Sequence, residues 1–167
     1  MKLLSTLLLA ISSAQAAPND SHCSREEKTV FSCTVGKKIV SVCASKDLSP
    51  VAGYMQYRFG KKGKPELSIP ALSQHPLKHV QADAYQAASG QTGSMTFSHG
   101  QYSYTLVWSE SRTDNAPDGS SMWVNEAGLT IARKGKVIAD LPCSLAEGGV
   151  LAADAYYLHK QVGYPEN

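Results

Sequence analysis

The feature that most constrains this chain is its set of four cysteines, at positions 23, 33, 43 and 143. An even number of cysteines in an exported chain is typical of disulfide bonds, and four cysteines allow three connectivities. Zinc sites use closely paired cysteines, and redox-active pairs use a Cys-x-x-Cys motif. Neither pattern is present, so we predict two structural disulfides and no metal bound by these cysteines.

A predicted hairpin narrows the choice of cysteine pairs. Residues 28–35 and 38–45 are predicted strands joined by a two-residue turn. This register places Cys43 opposite Val30, on the face of the hairpin away from Cys33, because side chains alternate between the faces of a strand. A Cys33–Cys43 disulfide is therefore disfavoured.

We predict the disulfides Cys23–Cys43 and Cys33–Cys143. The same register places Cys33 opposite Val40. A bond from Cys33 to Cys143 would close a loop of about 110 residues and contribute roughly 4–5 kcal/mol in the chain-entropy description. It would tie the first predicted strand to the last one.

Residues 1–16 are predicted to be a cleaved signal peptide. Met1 and Lys2 begin it, an apolar stretch of about nine residues follows, and Ala14-Gln15-Ala16 fits a signal peptidase site. The apolar stretch is too short for a membrane span, which needs roughly 20 residues. We expect residues 17–167 to form a single disulfide-tied β-rich domain, periplasmic or secreted, with no membrane span.

The mature chain alternates apolar and polar residues in about nine short segments, separated by glycine-containing turns. This pattern predicts a mainly β fold, in which antiparallel hairpins form a sandwich or a small barrel. Pro65 and Pro70 bracket one segment, which favours an edge strand. One or two short helices are expected, at residues 71–90, where Leu77, Val80 and Ala84 follow helical spacing, and at residues 150–159.

Composition excludes several classes of protein. Charged residues make up 18 % of the chain and apolar residues 43 %, values that disfavour a disordered chain, a coiled coil or a multi-span membrane protein. The net charge of +2 is too small to suggest a nucleic-acid partner. The basic residues lie mostly before residue 81, and the acidic residues mostly after it.

The sequence carries no motif that would identify an enzyme. Gly-x-Ser-x-Gly, a phosphate-binding glycine loop and a dinucleotide fingerprint do not occur. His75 and His79 have the spacing of a helical metal pair, but Pro76 disfavours helix at His75. We therefore assign no catalytic residue, metal ligand or cofactor.

Tyr54, Gln56 and Arg58 form the most suggestive surface feature, because they share the polar face of one predicted strand. Tyrosine and arginine are enriched at the centres of protein interfaces, so we predict that these residues bind a partner. The alternative is an ordinary set of cross-strand contacts. On a later strand, Tyr102, Tyr104 and Trp108 share a face that is predicted to be core.

Several segments together resemble a group of small exported proteins of Gram-negative bacteria whose role is unassigned. They are residues 31–33 (Phe-Ser-Cys), 53–60 (Gly-Tyr-Met-Gln-Tyr-Arg-Phe-Gly), 128–131 (Gly-Leu-Thr-Ile) and 141–143 (Leu-Pro-Cys). The resemblance implies a periplasmic β-rich protein. A weaker similarity is to periplasmic lysozyme inhibitors, small β-barrels with a Ser-Gly-x-x-Tyr motif. Ser89 and Gly90 match that motif, whereas Gly93 stands in place of its tyrosine.

These observations favour a non-enzymatic periplasmic binding domain of the inhibitor or immunity type, with a periplasmic or secreted protein as its partner. Two alternatives stay open. One is a hydrolase whose site is assembled from distant His, Asp and Ser residues. The other is a structural protein associated with the cell envelope.

Overall fold

The structure, a computed structural model, describes residues 21–113, 120–145, 150–151 and 157–164. The predicted signal peptide lies outside these residues. Two antiparallel sheets form the fold, which confirms the predicted mainly β class. They are separate sheets that face each other, so of the two predicted arrangements the sandwich is the one that the structure adopts.

The first sheet has the strand order β10-β1-β2-β3-β4 and the second has the order β5-β6-β7-β8-β9. The strands of the first sheet are β1 (Glu27–Val35), β2 (Lys38–Ser45), β3 (Met55–Lys61), β4 (Lys64–Gln74) and the two-residue β10 (Val150–Leu151). Those of the second are β5 (Val80–Ala87), β6 (Gly90–His99), β7 (Tyr102–Thr113), β8 (Met122–Arg133) and β9 (Lys136–Pro142).

The core lies between the two sheets and is rich in aromatic side chains. Tyr57 of β3 packs against Phe97 and Tyr104 of the second sheet, with 5.5 Å between ring centroids in each pair. Phe31 of β1 faces Trp108 of β7 at 6.5 Å. Such contacts add specific geometry to the burial of large apolar surfaces. The predicted core face of β7 is thus confirmed for Tyr104 and Trp108, whereas Tyr102 at the start of the strand is exposed.

The predicted disulfides Cys23–Cys43 and Cys33–Cys143 are both present, with Cα–Cα separations of 5.2 and 5.6 Å. Cys33 pairs with Val40 as expected. The predicted partner of Cys43 was wrong by one position. Cys43 lies opposite Thr29 because a β-bulge places one extra residue, Val30, in β1.

The predicted helix at residues 71–90 was wrong. This segment contains the end of β4, a single 3-10 turn at Pro76–Lys78, and β5. Val80 and Ala84 fit a period of two as well as a helical period, and in β5 they lie opposite Phe97 and Gly93 of β6. Pairing with β6 therefore overrode the weak helical pattern.

The predicted helix at residues 150–159 was also wrong at its start. Val150 and Leu151 form β10, which pairs with Ser32 and Phe31 of β1. A short π-type helical segment follows at Tyr157–Val162, and residues 152–156 lie outside the described chain. The predicted edge position of the segment between Pro65 and Pro70 is confirmed, since β4 ends the first sheet.

The two disulfides are expected to differ in their contribution to stability, because they close loops of 110 and 20 residues. Loop-closure entropy predicts a loss of about 5 kcal/mol for Cys33→Ala with Cys143→Ala, and about 3 kcal/mol for Cys23→Ala with Cys43→Ala. Denaturant unfolding of both double variants measures the difference. Equal losses, or the reverse order, would contradict the prediction.

The Tyr57 hydroxyl is buried and has no hydrogen-bond partner among the described residues. A buried hydroxyl without a partner costs free energy, whereas the ring itself is stabilising. Tyr57→Phe is therefore expected to leave the free energy of unfolding unchanged or to raise it by about 1 kcal/mol. Thermal unfolding of both proteins checks this, and a clear loss of stability would show that the hydroxyl is satisfied.

Candidate functional site

The outer face of the first sheet is covered by residues 21–24, which we call the N-terminal strap. The backbone N–H of His22 donates to Ser41 Oγ at 3.0 Å. His22 Nε2 lies 3.2 Å from the carbonyl oxygens of Ile39 and Gly60. The Cys23–Cys43 disulfide holds the strap to β2. The strap is therefore fixed to the sheet both covalently and through hydrogen bonds.

Beneath the strap, Arg58 of β3 and Glu27 of β1 form a buried ion pair. Both terminal nitrogens of Arg58 donate to the Glu27 carboxylate, at 2.6 and 2.7 Å. The Glu27 side chain is 3 % exposed and that of Arg58 is 16 % exposed. Arg58 also donates to the carbonyl oxygen of His22 at 2.8 Å, so the ion pair holds the strap in place.

Tyr54 and Gln56 complete this network. The Tyr54 hydroxyl donates to Glu27 at 2.8 Å, and Arg58 Nε donates to Gln56 Oε1 at the same distance. Gln56 in turn donates to the carbonyl oxygen of Pro70. The structure therefore brings the predicted residues Tyr54, Gln56 and Arg58 together, but the expectation that they form an exposed face is wrong. Their role in binding a partner stays a prediction.

The Glu27 carboxylate is stabilised in its charged form. Burial alone would raise its pKa, but hydrogen bonds from Arg58, from the Ser24 backbone N–H and from Tyr54 lower the pKa from 4.5 to about 2. A folded-state pKa below the unfolded one means that ionised Glu27 stabilises the fold above about pH 5. That stabilisation is lost as the pH falls towards 2.

Wild type and Glu27→Gln are expected to respond differently to pH. At pH 7 the variant leaves Arg58 buried without its charge partner, which costs on the order of 3 kcal/mol. Toward pH 2 the difference between the two proteins should shrink by roughly 2–3 kcal/mol as Glu27 in the wild type becomes protonated. Urea unfolding of both proteins across this pH range measures it.

Glu66→Gln is the matched control, because the Glu66–Lys38 ion pair is short but solvent-exposed. Exposed pairs contribute little, so this variant should follow the wild-type pH profile. A Glu27→Gln profile parallel to that of the wild type would mean that Glu27 does not carry the pH dependence.

Three of the described histidines contact backbone carbonyls. Beyond His22, His75 Nε2 lies 2.9 Å from the Ser49 carbonyl oxygen and His79 Nε2 lies 3.2 Å from that of Met55. Burial lowers the pKa of His79. Within the described residues, no group of three or more His, Cys, Asp or Glu side chains is arranged to hold a metal ion.

The outer face of the second sheet differs from that of the first, because it carries exposed side chains in register across the strands. Strand pairing places the outward residues in rows, of which the three central ones matter here. The rows are Tyr85, Thr92, Ser109 and Glu126; Asp83, Ser94, Val107, Gly128 and Pro142; and Gln81, Thr96, Thr105, Thr130 and Asp140.

A groove, which we call the outer groove, follows these rows. Its larger part has a volume of about 490 Å³ and is lined by Val107, Glu126 and Asp140 among others. A smaller part of about 240 Å³ adjoins it beside Asp83 and Tyr85. The two parts share Thr92 and Val107, so they are continuous.

The outer groove combines apolar and acidic residues on a rigid sheet. Tyr85 is 65 % exposed and Val107 is 41 % exposed. Gly128 leaves the middle of the groove open. A Cβ added at this position would come no closer than 3.4 Å to its nearest neighbour, Val107, which is an ordinary contact distance. The groove can therefore accept a ligand that contacts both apolar and charged groups.

Sequence reasoning missed the outer groove. Alternation along β7 separates Val107 from the buried Leu106 and Trp108, which could have indicated one outward residue. The order and register of five strands are needed to bring Asp83 and Asp140 onto one face. Neither can be derived from the alternation of a single strand.

Gly93, which replaces the tyrosine of the Ser-Gly-x-x-Tyr motif, lies in β6 under the Trp108 ring. A Cβ at this position would collide with the indole. The core side of β6 therefore has no space for a side chain at position 93.

No family model, no curated protein and no solved structure matches this chain. Among the described residues, none of the helical segments has the length and apolar character that crossing a membrane requires. The functional assignment therefore rests on geometry and chemistry.

Proposed function

We propose that this protein is an exported, non-enzymatic binding domain of the inhibitor or immunity type, which acts in the periplasm or after secretion. It recognises a periplasmic or secreted partner protein through the outer groove. The observation that carries the proposal is the groove itself, a continuous exposed depression across the second sheet.

Two disulfides support an oxidising location, since such bonds persist mainly outside the cytoplasm. The predicted signal peptide at residues 1–16 agrees with export. The resemblance to small exported proteins of Gram-negative bacteria implies the periplasm as the compartment. Both arguments concern location and are independent of the groove.

Of the two outer faces of the sandwich, only that of the second sheet has the features of a binding surface. On the first sheet the strap, Arg58 and Glu27 cover the surface and bond to one another. On the second sheet, Tyr85 on the edge strand β5 and Val107 on the central strand β7 are exposed. An exposed tyrosine beside apolar surface, held on a rigid scaffold, is typical of preformed protein interfaces.

Site-specific crosslinking in the native cell tests the proposal. A photo-crosslinking amino acid at Val107, inside the groove, should give a covalent adduct of one discrete mass with a partner protein. The matched control places the same amino acid at Leu72, which is 77 % exposed on the other sheet. We expect no such adduct from position 72.

Specificity is checked by adding Gly128→Leu, which should remove the adduct because the leucine fills the groove. Unchanged thermal unfolding would show that this variant is folded. Identical adducts from positions 107 and 72, or none from position 107, would contradict the proposed function.

A further inference from the structure

We propose that the outer groove binds a cationic, extended segment of the partner protein, whose lysine or arginine side chains lie against Asp83, Glu126 and Asp140. This inference rests on the proposed function and narrows it to one class of ligand.

Charge is the first argument. The three central outward rows of the described sheet carry Asp83, Glu126 and Asp140 and no lysine or arginine. The chain as a whole has 16 Lys+Arg against 14 Asp+Glu, so the groove is more acidic than the chain is on average. The first basic residue beyond these rows on β8 is Arg133, at the turn into β9. A complementary partner surface is therefore positive.

The spacing of the carboxylates favours several cations over one. Neighbouring strands lie about 4.8 Å apart and residues rise about 3.3 Å along a strand. By this measure Glu126 and Asp140 are more than about 10 Å apart, and Asp83 on β5 lies about 20 Å from Asp140 on β9. These distances are too large for a shared ion. Along an extended segment they correspond to side chains about four to six positions apart, so a segment of about seven residues can span them.

The threonine hydroxyl groups of the rows are engaged within the sheet, which disfavours them as contacts for a sugar ligand. Thr92 Oγ1 donates to a backbone carbonyl at 3.0 Å, and the Thr96 and Thr105 hydroxyls bond each other at 2.9 Å. Thr130 Oγ1 donates to Asp140 at 2.9 Å. These hydroxyls already have partners within the sheet, whereas a carboxylate can accept about four hydrogen bonds.

The floor of the groove suits the aliphatic part of a long cationic side chain. Val107 and Pro142 flank Gly128 on the middle row. Lysine and arginine stems pack on apolar surface while their charged ends reach carboxylates. Gly128 has no side chain, so the main chain of the ligand can approach the sheet closely.

Binding of short peptides tests the inference. The probes are capped peptides of about eight residues in which valine alternates with lysine, with serine or with glutamate. We expect the lysine peptide to bind and the other two to bind at least about tenfold more weakly. Its affinity should fall severalfold between about 0.02 M and about 0.5 M salt. Isothermal titration calorimetry on the disulfide-intact protein gives these affinities.

Surface variants locate the binding. Glu126→Gln and Asp140→Asn should each weaken the lysine peptide about twofold to fivefold, which is the scale of an exposed charge pair. Glu26→Gln is the matched control and should have no effect, since its side chain is 89 % exposed in the turn before β1, away from the groove. Gly128→Leu should abolish binding. If this variant does not fold, the two charge variants alone test whether the peptide binds in the groove.

The outcomes separate the inference from the proposed function. Equal binding of the serine and lysine peptides, failure of the lysine peptide to bind, or binding of a neutral oligosaccharide in its place would overturn the cationic ligand. The crosslink at Val107 could still stand in each case. If none of Glu126→Gln, Asp140→Asn and Gly128→Leu changes the affinity for the lysine peptide, the ligand binds elsewhere. That result would overturn the assignment to the groove. Loss of the crosslink as well would remove both proposals.

Discussion

Burial of aromatic side chains between the two sheets is the constraint on which the remaining structure depends. Tyr57 packs against Phe97 and Tyr104, and Phe31 packs near Trp108. Because side chains alternate along a strand, burying one set points the neighbouring residues outward. The core thereby selects which residues face the strap on the first sheet and which line the outer groove on the second.

The two outer faces then differ in how their polar groups are satisfied. On the first sheet Arg58 and Glu27 are buried, and burial of charges is tolerated only with a close partner and further hydrogen bonds. Tyr54, Gln56 and the His22 carbonyl provide those bonds, and the Cys23–Cys43 disulfide keeps the strap above them. This face has a structural explanation that is complete without a ligand.

On the second sheet, the outward residues face solvent and line the groove. Thr96 and Thr105 bond across β6 and β7, as solvent-facing residues of antiparallel strands commonly do. Such a face needs no cover for stability. The continuous depression over Gly128 and the exposure of Tyr85 therefore distinguish it as a surface on which a partner can dock.

Alternation and turn signals in the sequence were sufficient for the mainly β class and the first hairpin, and they disfavoured a Cys33–Cys43 bond, because these depend on period-two geometry over a few residues. The same geometry does not distinguish the predicted and observed pairs, Cys23–Cys43 and Cys33–Cys143, from the one connectivity that remains. The one-position error at Cys43 came from the bulge at Val30, which a regular period cannot reveal. Residues 71–90 were misassigned because Val80 and Ala84 fit both periods until β6 supplied a pairing partner.

Only the tertiary structure decided which polar face is open. Tyr54, Gln56 and Arg58 share a face by local geometry, but their burial depends on Glu27, which is 31 residues from Arg58 in sequence. The outer groove likewise requires β5 and β9 at opposite edges of one sheet. Strand order and long-range coverage arise from packing between distant segments, and no local pattern in the chain encodes them.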